Sequence, residues 1–394
     1  MRQITFGPAH HFFGYIGHCR TIPWNSNGRY VLALRTTFQN HMPSRTDAAD
    51  IVLLDAQRDY AEVEVDRTRA WNFQQGTMFY WNPESAETQF FFNDRDSDNN
   101  TIYTVLFDIA LRGAQHAPRG GRLREYRFDD TPVANGGVAP SGKRFAAINY
   151  ARMARLRPVT GYPETVDWTE GVAHPADDGV FVVDIATGEK RLVASFARLA
   201  SLLRPTHPNV DDVSLFINHT LWSPDGEQLF FFCRGNFGNK QQRINAGFVV
   251  RPDGSDLALL AHHFGGHPEW LDGNRMIGRW DARQGVYDVE RQAFVGTLGK
   301  PETFEQPEGD IALSPDGKWL VNGASIRGEN RYTFYRLADG LTVRGGPLSR
   351  GPFVGGTLRI DGAPCCNRDG TAVVVTAIAD DAGRTRQMFL LELP

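Results

Sequence analysis

Three short stretches hold groups able to move a proton or bind a metal ion, each at the same distance from a turn. FINHTLWSPDG sets His219 four residues ahead of Ser-Pro-Asp-Gly. GGHPEWLDG sets His267 four residues ahead of Leu-Asp-Gly-Asn, and GDIALSPDG sets Asp310 four residues ahead of a second Ser-Pro-Asp-Gly. Two imidazoles and a carboxylate at one place could ligate a divalent cation (Mn, Ca or Zn), with Asp310 as third ligand, or supply a base for proton transfer. The other reading is a hydrogen-bonded polar plug. A second group lies in NYARMARLRPVTGY, where Arg152, Arg155 and Arg157 alternate between Tyr150 and Tyr162. Guanidinium forks bind carboxylates bidentately, so Arg152 and Arg155, joined by Asn93 and Arg95 from FNDR, are read as a groove for an acidic substrate. A solvated, partly strand-like edge is the alternative.

These residues need elements to position them. Strand-like runs recur along the chain (RYVLAL, QFFFN, TIYTVLFDI, GVFVVDI, EQLFFF, TAVVVTAI, MFLLEL), and the fair helical candidate is KRLVASFARLASLL at 190–203. Seven turns begin at 25, 82, 139, 223, 271, 314 and 367, spaced by roughly 43 to 84 residues, the range of propeller blades with variable loops. Further turns in DIATGEK, RPDGSDL, DVERQAF and RLADGLT read as later hairpins of the same blades. The fold class predicted is all-β, a single seven-bladed β-propeller over 1–394. RQITFG at the start is expected to complete the blade made by QMFLLELP at the end, because a blade cannot bury its faces alone. The longest interval implies an inserted excursion at about 152–178. In a propeller the strand before each such turn is innermost, so His219, His267 and Asp310 share one depth in the channel, with Asn135, Met78 and Ala363 at the matching places.

Composition bounds the partners. The 394 residues are 41% hydrophobic and carry a net charge of −4 with no basic run, which argues against nucleic acid. No stretch is long and apolar enough to span a membrane as a helix. The sequence as it stands predicts a soluble, cytoplasmic chain, a trimmed secretion signal being the alternative. Cys19, Cys233, Cys365 and Cys366 fit neither a disulfide framework nor a C-x-x-C zinc site. The adjacent pair reads as buried structural thiols, with a soft zinc ligand as the rival. His10 and His11 read as part of an aromatic plug, the rival being a second site on the opposite face. His262 and His263 read as surface residues.

The ordered motifs HHFFGY (10–15), WNFQQG (71–76), FNDR (92–95), NYARMARLRPVTGY (149–162), INHTLWSPDG (217–226) and GGHPEW (265–270) resemble the seven-bladed propeller polysaccharide lyases, namely oligogalacturonate lyases and, more closely, ulvan-lyase-like proteins. The resemblance runs through nearly the whole chain. HHFFGY with WNFQQG and FNDR is its specific part; the SPDG turns are common to TolB-like propellers. It implies β-elimination on a uronic-acid-containing oligo- or polysaccharide, with His219, His267, Tyr150 and Tyr162 as catalytic candidates. The chain departs from the family at Ala154, Asp310 and Ala363, where relatives often carry histidine. A glycoside hydrolase on the same scaffold and a non-catalytic propeller binding glycan or protein are the other two readings; the first requires two carboxyl groups flanking the bond.

Overall fold

The computed structural model describes residues 1–14, 21–111 and 120–393, so Tyr15 of the first motif and Cys19 lie outside the described residues. Seven antiparallel sheets of four strands each follow one another along the chain. They form blades 1 to 7, over 10–68, 80–126, 134–195, 215–259, 269–298, 310–349 and 365–392. The innermost strands include Leu215–Trp222 in blade 4, Glu269–Trp270 in blade 5 and Asp310–Leu313 in blade 6. Each of the seven predicted turns joins the first and second strands of its blade, and the four later hairpins also fall between strands. Blade 7 takes its outermost strand from the start of the chain: Arg2 pairs with Leu390 and Gln3 with Phe389. Ile4 N–H then donates to Met388 O at 3.0 Å, and the Ile4 side chain is buried.

The unbroken aromatic runs are explained by burial on both faces. Successive side chains of a strand point to opposite faces. Phe90 and Phe92 therefore join the apolar cluster shared with blade 1, while Phe91 packs on Tyr126 and Phe145 towards blade 3. In blade 4, Phe231 faces one neighbour and Phe230 and Phe232 the other. Tryptophans just before the turns tie inner strands together. The indole N–H of Trp81 donates to Pro23 O, that of Trp222 to Gly137 O, and that of Trp270 to Leu221 O, at 2.7–2.9 Å.

Strand direction puts the tight turns on one face. The links between blades and the connections after each second strand lie on the other, as does the excursion, which spans 149–178 between Ile148 and Gly179. Two expectations about helices need correction. YARMARL is helix α1 (Tyr150–Leu156), capped by the Asn149 side chain, and not a strand-like edge. The proposed helix at 190–203 is half strand, Lys190–Ser195, and half helix α2, Phe196–Leu203, with Ser195 as its cap. No helix among the described residues is long and apolar enough to cross a membrane.

Closure by the first strand makes Ile4 a seam residue. Ile4→Ala should lower unfolding stability by about 2–4 kcal/mol. Urea unfolding checks this; an unchanged midpoint would mean that the ring does not depend on the seam.

Candidate active site

On the face carrying the inter-blade links, a narrow cleft of about 40 Å³ opens over the channel, and His219 and His267 line it. Their Nε2 atoms are 3.1 Å apart, and Nδ1 of His267 lies 2.5 Å from Oδ1 of Asp310. The other Asp310 oxygen accepts the Ala363 N–H at 2.9 Å. Behind His219, Gln75 Nε2 is 3.4 Å from Nδ1. One set of neutral tautomers satisfies the whole chain: Gln75 donates to His219, His219 Nε2–H donates to His267, and His267 Nδ1–H donates to Asp310. Burial alone would raise the Asp310 carboxyl. The facing His267 and the Ala363 N–H outweigh it and hold the group below its usual range.

Backbone geometry brings the rings together. His219 has φ +56°, at a bulge where the pairing slips between Asn218 and Leu221. A left-handed non-glycine residue costs of the order of 1–3 kcal/mol and persists where surrounding structure imposes it. Met78 and Ala363, at the matching places, are also left-handed, with φ +58° and +42°.

The rest of the cleft comes from loops and from strands of blades 1 and 7. Asn72 Oδ1 accepts the N–H groups of Gln74 and Gln75 and so presents both side chains. A Cβ on Gly14 would stand 2.3 Å from the Gly76 nitrogen, so HHFFG and WNFQQG can pack together only with glycine at this contact. Arg157, Arg359 and Arg386 line the cleft. The Arg359 Nε–H is shared between the two oxygens of Asp361 at 3.0 and 3.1 Å, and its Nη2 donates to Gln74 Oε1 at 2.8 Å. Burial, then Asp310, raises the Asp361 carboxyl against the pull of Arg359. Burial lowers Arg157 to about 10 and Arg386 to about 9.

The predicted site residues therefore divide. His219, His267 and Asp310 come together. Asp310 is nevertheless not a third metal ligand: it sits behind His267, with both oxygens committed to N–H groups. Among the described residues no three His, Cys, Asp or Glu side chains are grouped to hold an ion. The donor set thus does not fit a three-ligand metal site. Arg152 is fully buried and donates to the carbonyls of Leu215, Val172 and Ala173 and to Thr169 Oγ1 at 2.5–3.0 Å; it staples the excursion to blade 4 and does not line the cleft. Arg155 is forked on Asp167, and buried Arg95 donates to Pro163 O. Tyr150 and Tyr162 stack in the core with centroids 4.5 Å apart. Tyr150 donates to Asn135 O, and Tyr162 accepts from the buried Asn93, which is likewise excluded from the cleft. Burial raises both phenols, so neither is placed to act as an acid on a bound substrate.

Sequence reasoning treated Arg157 only as part of the arginine run and missed Arg359, Arg386, Asp361 and the glutamines of WNFQQG. Phe12 and Phe13 line the cleft, whereas His10 and His11 pack against blade 7, on the same face as the cleft. Cys365 and Cys366 are buried thiols. His263 is exposed, and Ala154 packs against Gly161. Glu269, two residues beyond His267, is fully buried, and neither oxygen has a hydrogen-bond partner among the described residues.

No protein-family model matches the chain, and no curated protein matches it. Among solved structures it is similar to the β-propeller domain of the trilobed protease from Pyrococcus furiosus, at 12% identity over 94% of this chain and 93% of that one, TM-score 0.49. It is also similar to TolB from Acinetobacter baumannii, at 12% identity over 89% of this chain and 78% of that one, TM-score 0.42. Likeness at this level carries no statement about activity.

Glu269 gives a pH test. Burial raises its carboxyl well above the ordinary value. Stability linked to it is complete below the ordinary range near ~4.3 and is lost as pH rises towards the folded value. Relative to wild type, Glu269→Met should therefore gain up to about 1.4 kcal/mol per pH unit over that window. Denaturant unfolding at several pH values reads this directly; a difference independent of pH would show that Glu269 is not held neutral.

Proposed function

We propose that this propeller is a polysaccharide lyase that cleaves a uronic-acid-containing oligo- or polysaccharide by β-elimination. The observation that carries the reading is the Asp310–His267–His219 chain at a cleft flanked by guanidinium groups. The motif resemblance supports it. Arg157 and Arg359 would take the substrate carboxylate and stabilise the enolate-like charge that develops as the C5 proton leaves. His267 is the base: its Nε2 receives the proton, and Asp310 stabilises the resulting imidazolium. For this, substrate binding first turns the His219 Nε2–H towards a substrate oxygen, which frees the single Nε2 lone pair of His267. The C5–H electron pair forms the C4–C5 double bond as the C4–O bond breaks. Asp361 would protonate the departing oxygen, since a substrate carboxylate drawing Arg359 away leaves burial to keep Asp361 neutral. No step is routed through a metal. The partner in this reading is an anionic glycan.

One observation favours a second reading, glycoside hydrolysis. Asp310 and Asp361 have their carboxyls displaced in opposite directions, as an acid and base pair requires. Against it, both Asp310 oxygens already accept N–H groups.

Incubation with a panel of uronate glycans separates the readings. Elimination yields the ultraviolet absorbance of a conjugated 4,5-unsaturated uronate; hydrolysis yields reducing ends without it. A chelator should leave the rate unchanged, and His267→Ala should lower it by about 10²- to 10⁴-fold. His219→Gln that folds and turns over at the wild-type rate would return the pair to a structural plug.

A further inference from the structure

Beside the cleft lies a concentration of positive charge, on which Asp361 acts only through Arg157 and from a distance. Three guanidinium groups surround the ring of Phe237: Arg157 at 4.4 Å, Arg243 at 4.5 Å and Arg234 at 5.4 Å from its centroid. None of the three forms an ion pair with a described residue. Arg234 is 5% exposed and its Nη1 has no hydrogen-bond partner among the described residues; Arg157 Nη1 is likewise buried without one among them. Burial, then Arg157 and Arg243, presses Arg234 well below its ordinary value, and no carboxylate counters them.

The arrangement is nonetheless built. Arg234 Nε donates to Asn245 Oδ1 at 2.8 Å, and Asn245 Nδ2 is 3.1 Å from Nε2 of His263. The Arg234 guanidinium also stacks on Phe232 at 4.2 Å, and Arg243 donates to Phe237 O at 3.1 Å. Aromatic faces only partly compensate buried cations, and like charges held together repel. An oxyanion accepting the unused N–H groups would satisfy both deficits. Position matters too. Arg157 belongs to this cluster and to the cleft wall, and Phe232 touches both Arg234 and the His219 ring, the latter at 6.2 Å. One aromatic ring therefore separates the cluster from the imidazole pair.

We propose that Arg234 and Arg243 form a second anion subsite, with Arg157 standing between it and the cleft, and that it takes a carboxylate or sulfate on a sugar unit neighbouring the one held at the histidines. This rests on the reading of the cleft as a glycan site. It adds that the substrate carries at least two negative groups, so that affinity rises with the number of charged units.

Calorimetric titration tests this with three probes: galacturonate, tetragalacturonate and inorganic sulfate. His267→Ala serves as the common background, so that turnover does not intrude. Tetragalacturonate should bind more tightly than galacturonate. Arg243→Gln, at an exposed position, should remove about tenfold of that gain and leave galacturonate unchanged. Arg234→Gln should act in the same direction. Sulfate binding that Arg243→Gln abolishes, with no gain for tetragalacturonate, would identify a sulfate ester as the second group. If Arg243→Gln and Arg234→Gln melt as the background does and bind all three probes equally well, the subsite does not exist. The lyase reading fails separately: a protein that shows the Arg243 dependence but releases no unsaturated uronate keeps the subsite and loses the elimination chemistry. One that releases it with affinity indifferent to Arg243 does the reverse.

Discussion

Every blade here has two apolar faces, and only a neighbour on each side can cover them. Ring closure is therefore the constraint on which the rest depends. A sheet whose strands read Phe90-Phe91-Phe92 or Phe230-Phe231-Phe232 cannot leave either face in water. The chain meets this demand by carrying its first residues to the outer edge of blade 7, where Arg2 and Gln3 pair with Leu390 and Phe389. Tryptophan N–H groups reaching a carbonyl of the preceding blade set the spacing of inner strands within the ring. The channel mouth, and with it the cleft, is a by-product of that closure.

What closure positions is a short hydrogen-bonded line, Gln75 to His219 to His267 to Asp310, running across blades 4, 5 and 6. No single blade contains it. The carboxylate fixes which nitrogen of His267 carries the proton, and so which one faces the cleft. Around this line loops contribute cations: Arg157 from the end of the short helix in the excursion, Arg359 from the link between blades 6 and 7, and Arg243 from the connection after the second strand of blade 4. Inner strands hold His219 and Asp310, the segment just ahead of the Glu269–Trp270 strand holds His267, and the charge comes from longer connections together with Arg234 and Arg386 on strands.

The fold was largely legible in the sequence because it is written in local chemistry. Asn-Ser-Asn-Gly, Ser-Pro-Asp-Gly and Asn-Arg-Asp-Gly each specify a tight turn whatever surrounds them, and counting back from them found His219, His267 and Asp310 at one depth. The arginines were misjudged for the opposite reason. Arg152 and Arg157 sit in one run, yet Arg152 is consumed by carbonyls of the excursion and of blade 4, contacts set by tertiary structure alone. Tyr150 and Tyr162 look equally available beside that run, but α1 turns the first inward and the chain beyond it buries the second. The alternation of Arg152, Arg155 and Arg157 suggested strand; the Asn149 cap decides for helix. Arg359 and Asp361 stand in a glycine-rich link with no periodic signal.

The left-handed residues at Met78, His219 and Ala363 have an evolutionary corollary. At these positions the main chain has already adopted the unusual bend, whether the side chain is a thioether, an imidazole or a methyl group. Asn135, His267 and Asp310 hold the equivalent places of other blades without that bend, so the ready-made sockets are those of Met78, His219 and Ala363. Single codon changes there can install or erase an acid, a base or an inert group while the surrounding architecture stays put. New specificities could thus arise on this scaffold by exchange at the ring, one blade at a time, with the ancestral frame preserved.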